Sequence, residues 1–185
     1  MIHNFKLKYN NLELVPLQAE HIENLRNWRN NKEQTKYLRQ IPYITEEMQK
    51  SWYENYKTDA NIISFAIMET QDFNRMIGSV SLYNFAEDCV EIGKIQIGDA
   101  KAQGKGFGKI AFTMLLKLAF ELFKYKKVVA TVNVDNVSAR KSYFKIGFKI
   151  IGQHALGNMT EDDIEITKEI LINNIDYYDK INIEI

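Results

Sequence analysis

The stretch that most restricts the fold is IQIGDAKAQGKGFGKIAF, residues 95–112. An apolar run gives way to Gly104, Gly106 and Gly108 and then to apolar residues at helical spacing, so the segment reads as strand, glycine turn and helix start. Such a turn aims main-chain N–H groups and the positive end of a helix dipole at one point, which suits a phosphate or diphosphate. Glycines let the main chain approach an anion closely, and Lys105 and Lys109 add positive charge. A plain flexible connection is the competing reading. Two common phosphate patterns do not fit. The P-loop needs Gly-Lys-Ser/Thr, whereas Gly104-Lys105 is followed by Gly106 and Gly108-Lys109 by Ile110. The dinucleotide fingerprint needs its third glycine at the sixth place, and here it falls at the fifth, behind a meander.

The segments around the turn set a topology. Residues 12–17 alternate as a strand, with Pro16 marking its end or a sheet edge. Residues 19–30 read as a helix with Ile22, Leu25 and Trp28 on one stripe and Arg26 and Arg29 on a neighbouring one. A second helix starts at Thr45, with Met48, Trp52 and Tyr56 at fourfold spacing. Strands over 62–69, 77–84 and 90–97 form an antiparallel meander. A helix over 107–123 then leads to a β-branched strand over 128–134, and this strand–helix–strand order predicts a parallel crossover. A short helix over 136–147 ends at Gly147, and strands over 148–153 and 163–172 follow. The tail over 173–185 is ambiguous.

The length of 185 residues suits one domain, 1–185, with a real core. Twenty-four basic and twenty-four acidic residues give no net charge, so nothing draws the whole chain to nucleic acid or an anionic membrane. The lone Cys89 cannot form an internal disulfide, and the first 25 residues carry charges rather than an apolar run. A cytoplasmic protein without a membrane span is the expectation. His3, His21 and His154 match no ligand spacing, so no metal is expected.

Gln103-Gly104-Lys105-Gly106-Phe107-Gly108 fits Gln/Arg-x-x-Gly-x-Gly/Ala, and VNVDNVSARKSYFKIGF, residues 132–148, fits Asn-x-x-Ser/Ala, Tyr and Gly-Phe on the next helix. On these motifs the sequence resembles the GNAT superfamily of acyl-CoA-dependent N-acetyltransferases. It looks most like the branch of ribosomal-protein and nucleotide-amino-sugar acetyltransferases, with LRNWRN, residues 25–30, leaning to the sugar-nucleotide side. The resemblance implies an α+β, three-layer fold: a mixed, mostly antiparallel sheet of six to seven strands, helices on both faces, and a central parallel pair that splays apart.

It also implies acetyl-CoA as cosubstrate, held by Gln96, Ile97, Gly98, Gln103, Gly104, Lys105, Gly106, Phe107, Gly108, Lys109 and Asn136. A primary amine attacks the thioester directly, so no protein nucleophile is needed. Tyr143 takes the place of the general acid for the departing thiolate, against a simple core role. Glu91 is the candidate base through a water, against a solvated strand-edge charge or direct relay to bulk water. Trp28 and Arg29 are the candidate acceptor contacts. The expected acceptor is a nucleotide-linked amino sugar or other small amine, the alternatives being a protein N-terminus or a polyamine. A noncatalytic acyl-CoA-binding module is the reading from another class, and a monomer or homodimer is expected.

Overall fold

The structure is a computed structural model that describes residues 2–185. Phe5, Leu7 and Tyr9 alternate with Lys6 and Lys8, and this pattern makes the first strand, β1 (Lys6–Tyr9). A turn at Asn10, whose φ of 51° suits asparagine better than most residues, reverses the chain into β2 (Leu12–Pro16). The meander follows as β3 (Ile62–Glu69), β4 (Arg75–Tyr83) and β5 (Cys89–Ile97). Then come β6 (Lys127–Asn133), β7 (Lys149–Leu156), β8 (Met159–Thr167) and β9 (Asn182–Glu184).

Among the described residues nine strands share one sheet in the order β7-β8-β6-β5-β4-β3-β2-β1-β9, and only β5 and β6 pair in parallel. The sheet is mixed and mostly antiparallel, as expected, but it has nine strands rather than six to seven. The two additions are β1, short and lysine-rich, and β9, which comes from the ambiguous tail and pairs with β1 through Lys6↔Glu184. The strand expected over 163–172 stops at Thr167, and Lys168–Asn174 is a helix that buries Leu171.

Five helices cover the sheet: α1 (Ile22–Asn30), α2 (Glu46–Thr58), α3 (Phe107–Lys117), α4 (Val137–Ile146) and α5 (Lys168–Asn174). Helix α2 starts where Thr45 Oγ1 accepts from the Met48 N–H at 3.2 Å. Helix α4 starts at Asn136 and stops at Gly147, whose φ of 115° only glycine adopts easily. Helix α3 runs on through one π turn, Leu118–Leu122.

Strand β3 shows why both faces are covered. Ile63, Phe65 and Ile67 join the core beneath α3, whereas Ile62 and Ala66 join a second cluster with Tyr53 and Tyr56 of α2. A strand buried on both faces reads as a continuous apolar run. Each large side chain buried here, such as Phe65 or Phe112, contributes about 1.5–3 kcal/mol. The one polar residue within the run is Ser64, and its hydroxyl bonds the Ser81 hydroxyl at 2.8 Å.

The parallel pair is short. Cys89↔Lys127, Val90↔Val128 and Glu91↔Val129 are in register, and beyond them β5 and β6 part. The cause lies on the other edge of β5, where the register with β4 shifts between Ser79 and Ser81 and Lys94 takes a φ of 49°. An extra residue in one strand bends it away from its neighbour.

Two buried histidines make stability depend on pH. His3 Nε2 lies 3.1 Å from the Ser64 carbonyl oxygen, and His21 Nδ1 accepts from the Gln18 N–H at 3.1 Å. Burial lowers both from the ordinary 6.5. The unfolded chain therefore takes up these protons first as pH falls, and the stability they confer is complete above about pH 6.5 and lost below it. The urea midpoint should be lower at about pH 5.5 than at about pH 7.5, with part of that difference gone in His21→Gln.

Candidate active site

The glycine turn is fixed from both sides and left open in the middle. Asp99 accepts the Lys101 N–H on its side chain at 2.9 Å and the Ala102 N–H on its carbonyl at 3.0 Å. Arg75 holds the Asp99 carboxylate at 2.7 Å and keeps its pKa below the usual range. Past the turn, Phe107 is buried and packs edge-on against Phe73. Between these anchors Gly104 and Gly106 have φ of 74° and 85°, and a Cβ on either would meet nothing within 4 Å. They are glycines for their backbone angles, and the space in front of them is clear. Gly106 is also the N-cap of α3, and no side chain caps that helix. A concave turn with an uncapped helix start fits a phosphate group.

Lys105 lies over the Phe73 ring at 5.6 Å, beside Arg75, which lies over the same ring at 5.5 Å. A Cβ on Gly108 would meet Ile97 only at an ordinary 3.6 Å, so α3 leaves room for a side chain there against β5. Gln103 ties the turn to the strand, donating to the Ile97 carbonyl at 2.9 Å.

The end of β5 is tied to the connection after α1. The Gly98 N–H donates to the Ile77 carbonyl at 2.9 Å, and its carbonyl accepts from Gln34 Nε2 at 2.9 Å. Gln96 Nε2 reaches Gln34 Oε1 at 3.3 Å. Since Gly98 faces β4, strand alternation turns the Ile97 N–H to the side that β6 has vacated. The Trp28 ring lies against the bare face of Gly98, inside the space a Cβ would take.

Tyr143 reaches this region from the other face. It stacks on Phe112 of α3 with centroids 4.6 Å apart and touches Phe148. It is 9% exposed, burial pushes its pKa well up, and its hydroxyl makes no hydrogen bond among the described residues. A phenol held neutral with a free hydroxyl is a proton donor in waiting. Helix α4 is oriented by Arg140, one turn before Tyr143, which pairs with the fully buried Asp162 of β8 at 2.7 Å. Asn136 Oδ1 accepts from the Ala139 N–H at 3.2 Å, so its side chain caps α4.

Glu91 stands at the last paired position before β5 and β6 part. Its Oε1 accepts from Tyr83 Oη at 2.7 Å and its Oε2 from Asn84 Nδ2 at 2.8 Å. Neither partner is evident from the sequence by itself. A glycine inside a strand, Gly93, marks close approach of another group: a Cβ there would sit 2.7 Å from the Tyr83 hydroxyl.

Of the two arginines, Arg26 is held by Glu23 and Tyr43. Arg29 donates to the Arg39 carbonyl at 2.8 Å, and burial lowers its pKa. Together with Lys32, Arg39 and Tyr43 it lines a cavity of about 90 Å³, and none of these three cations forms an ion pair among the described residues. The larger cavity, about 390 Å³ between α1 and the start of α2, shares no residue with the β5–β6 gap. Among the described residues no group of His, Cys, Asp and Glu could hold a metal ion, and no helix is long and apolar enough to cross a membrane.

The fit of Trp28 on Gly98 is directly testable. Gly98→Ala must expel the indole, at about 1–3 kcal/mol for the overpacking. Tryptophan emission should shift toward the red in that variant and stay unchanged in Gly108→Ala.

Residues 11–149 match the family described as Acetyltransferase (GNAT) domain. The chain is 26% identical over 159 residues to an N-acetyltransferase 9-like protein of Caenorhabditis briggsae, covering 79% of this chain and 78% of that one. It is 26% identical over 134 residues to acetyltransferase PseH of Campylobacter jejuni, covering 72% and 80%. Its fold matches the crystal structure of spermidine N-acetyltransferase from Vibrio cholerae in complex with CoA and spermine, with a TM-score of 0.78 at 23% identity over 88% of this chain and 99% of that one. With the glycine turn, the short parallel pair and a family match that spans most of its length, the chain belongs to the GNAT acetyltransferases.

Proposed function

We propose that this chain moves an acetyl group from acetyl-CoA to the primary amine of a small molecule, first among them a nucleotide-linked amino sugar. The observation that carries the reading is Tyr143, a nearly buried phenol with a free hydroxyl, set behind the gap that opens next to the glycine turn. The uncapped start of α3 and the turn at Gly104 and Gly106 are the place for the diphosphate, with Lys105 at its side. Acetyl-CoA supplies an acyl group on a thiol leaving group. The Ile97 N–H is the candidate donor to the acyl oxygen, and one such donor in a dry site is worth roughly 3 kcal/mol. Tyr143 supplies the proton that the departing sulfur requires. Glu91 is the candidate base for the acceptor ammonium.

The three unpaired cations Arg29, Lys32 and Arg39 around one cavity favour an acceptor that carries phosphate. Trp28, the residue before Arg29 in α1, lies against Gly98 at the end of β5. A cationic acceptor such as a polyamine is the second reading, because Glu161 lies near the Tyr83–Glu91 pair. Thiol release from acetyl-CoA with a UDP-linked amino sugar, spermidine and a free N-terminal peptide decides between them. Absence of turnover with every amine, with acetyl-CoA still bound, would favour a noncatalytic acyl-CoA-binding module.

Tyr143→Phe should lower turnover about 100-fold or more while leaving acetyl-CoA affinity within about threefold, read by steady-state kinetics and calorimetry. Gly106→Val places a β-branched residue at a φ that costs about 1–3 kcal/mol, and the turn must rearrange. Acetyl-CoA affinity should drop at least about tenfold by calorimetry, whereas an unchanged constant would remove the turn from the binding site.

A further inference from the structure

We propose that Tyr83 is the group that takes the acceptor amine's proton and passes its own to Glu91, so that the base of this site is a tyrosine–glutamate unit; the inference rests on the acetyl-transfer reading above. Each carboxylate oxygen of Glu91 already accepts a hydrogen bond, one from Tyr83 and one from Asn84. The Tyr83 oxygen donates to Glu91 and keeps its lone pairs for a second partner. The phenol is half-buried on the face of the sheet that carries α1 and α2, in the cluster that includes Trp28.

The strand beneath is built around this contact. Gly93 leaves room for the Tyr83 hydroxyl, where a Cβ would sit 2.7 Å away. The next residue, Lys94, takes the left-handed conformation that bends β5 and lays its ammonium over the Tyr83 ring at 4.7 Å. Glycine is unfavourable inside a strand and a left-handed lysine is strained, so both run against local preference at this one contact.

The charges around the unit come from every neighbouring element. Burial first and the hydrogen-bonded Glu91 next disfavour the Tyr83 anion, with Tyr143 of α4 and Glu161 of β8 adding to it. Lys94 feels Glu91 and Asp59 at the end of α2. On the remaining side Cys89 lies within reach of Lys127, Glu165 and Glu91. A tyrosinate is thus disfavoured, and a concerted transfer avoids one. The ammonium gives a proton to Tyr83 Oη while Tyr83 gives its own to Glu91 Oε1, leaving a neutral amine, a neutral tyrosine and a neutral carboxylic acid. The amine nitrogen then bonds the acyl carbon and the carbon–sulfur bond breaks as Tyr143 protonates the thiolate; the second proton that the nitrogen loses returns through water to Tyr143, and Glu91 gives its proton to solvent.

The test uses the full chain, acetyl-CoA and a UDP-linked amino sugar, with spermidine and a free N-terminal peptide as alternative acceptors. Tyr83→Phe, Glu91→Gln and the double variant are compared in kcat, in KM and across pH, with acetyl-CoA affinity as the check on folding. Each single variant should lose about 30-fold or more in kcat, and the double variant should lose no more than the worse single one, as for residues that act as one unit. The acid limb of the kcat/KM profile should vanish in Glu91→Gln and move in Tyr83→Phe, yet stay in place in Tyr143→Phe. Gly93→Ala should reproduce the Tyr83→Phe profile without removing a titrating group. Turnover within twofold of wild type in Tyr83→Phe, an unmoved limb, or losses that multiply in the double variant would overturn the relay alone. No turnover with any of the three amines would overturn the acetyl-transfer reading, and the relay with it.

Discussion

The parting of β5 from β6 after only three paired residues is the constraint on which the rest of this structure depends. A parallel pair held to its full length would bury its main-chain groups in the ladder and leave no gap in the middle of the sheet. One extra residue in β5, opposite Val80, bends that strand toward the meander and leaves β6 to pair with β8 alone over its second half. The bend costs backbone strain at Lys94, which the sheet tolerates because β4 and α3 hold β5 on two other sides.

The helices then dress the opening from opposite faces. Helix α3 and the stacked rings of Phe112, Tyr143 and Phe148 close it beneath, so Tyr143 is positioned by aromatic packing and not by a hydrogen bond of its own hydroxyl. From above, Trp28 and Gln34 close the end of β5 through Gly98. The pair of half-buried Arg140 with fully buried Asp162, with Gln153 donating to the second carboxylate oxygen at 2.6 Å, ties α4 to β8. Removing Arg140 would leave the Asp162 carboxylate buried without its cation, which ties the position of α4 to this contact.

What the sequence revealed follows from how local each determinant is. The glycine turn, the α3 start and the helix from Asn136 to Gly147 depend on residues a few positions apart, and they stand where spacing placed them. Strand β3 was equally legible because a fully buried strand is one apolar run. Less legible were elements whose partners lie far along the chain. Lysines break up the apolar character of β1, which is a strand through its pairing with β2, and β9 is only three residues long and is a strand because β1 is there. In 163–172 the β-branched residues suggested one strand, but Leu171 and Ile175 bury themselves only if the chain coils after Thr167. At the site, Tyr83 lay unnoticed because nothing in the sequence says which cross-strand neighbour fills the space above a glycine. The cluster of Arg29, Lys32 and Arg39 needed the folded connection after α1 to bring it together.

The pairing of β9 with β1 has a consequence for biogenesis. Strand β1 has β2 as an immediate neighbour in the chain, but its outer edge is covered only by residues 182–184. During synthesis that edge stays bare until nearly the whole described chain has left the ribosome, and a bare edge invites pairing with other nascent chains. The lysines that obscure β1 as a strand, Lys6 and Lys8, also discourage such pairing while the nascent chain waits for its last strand.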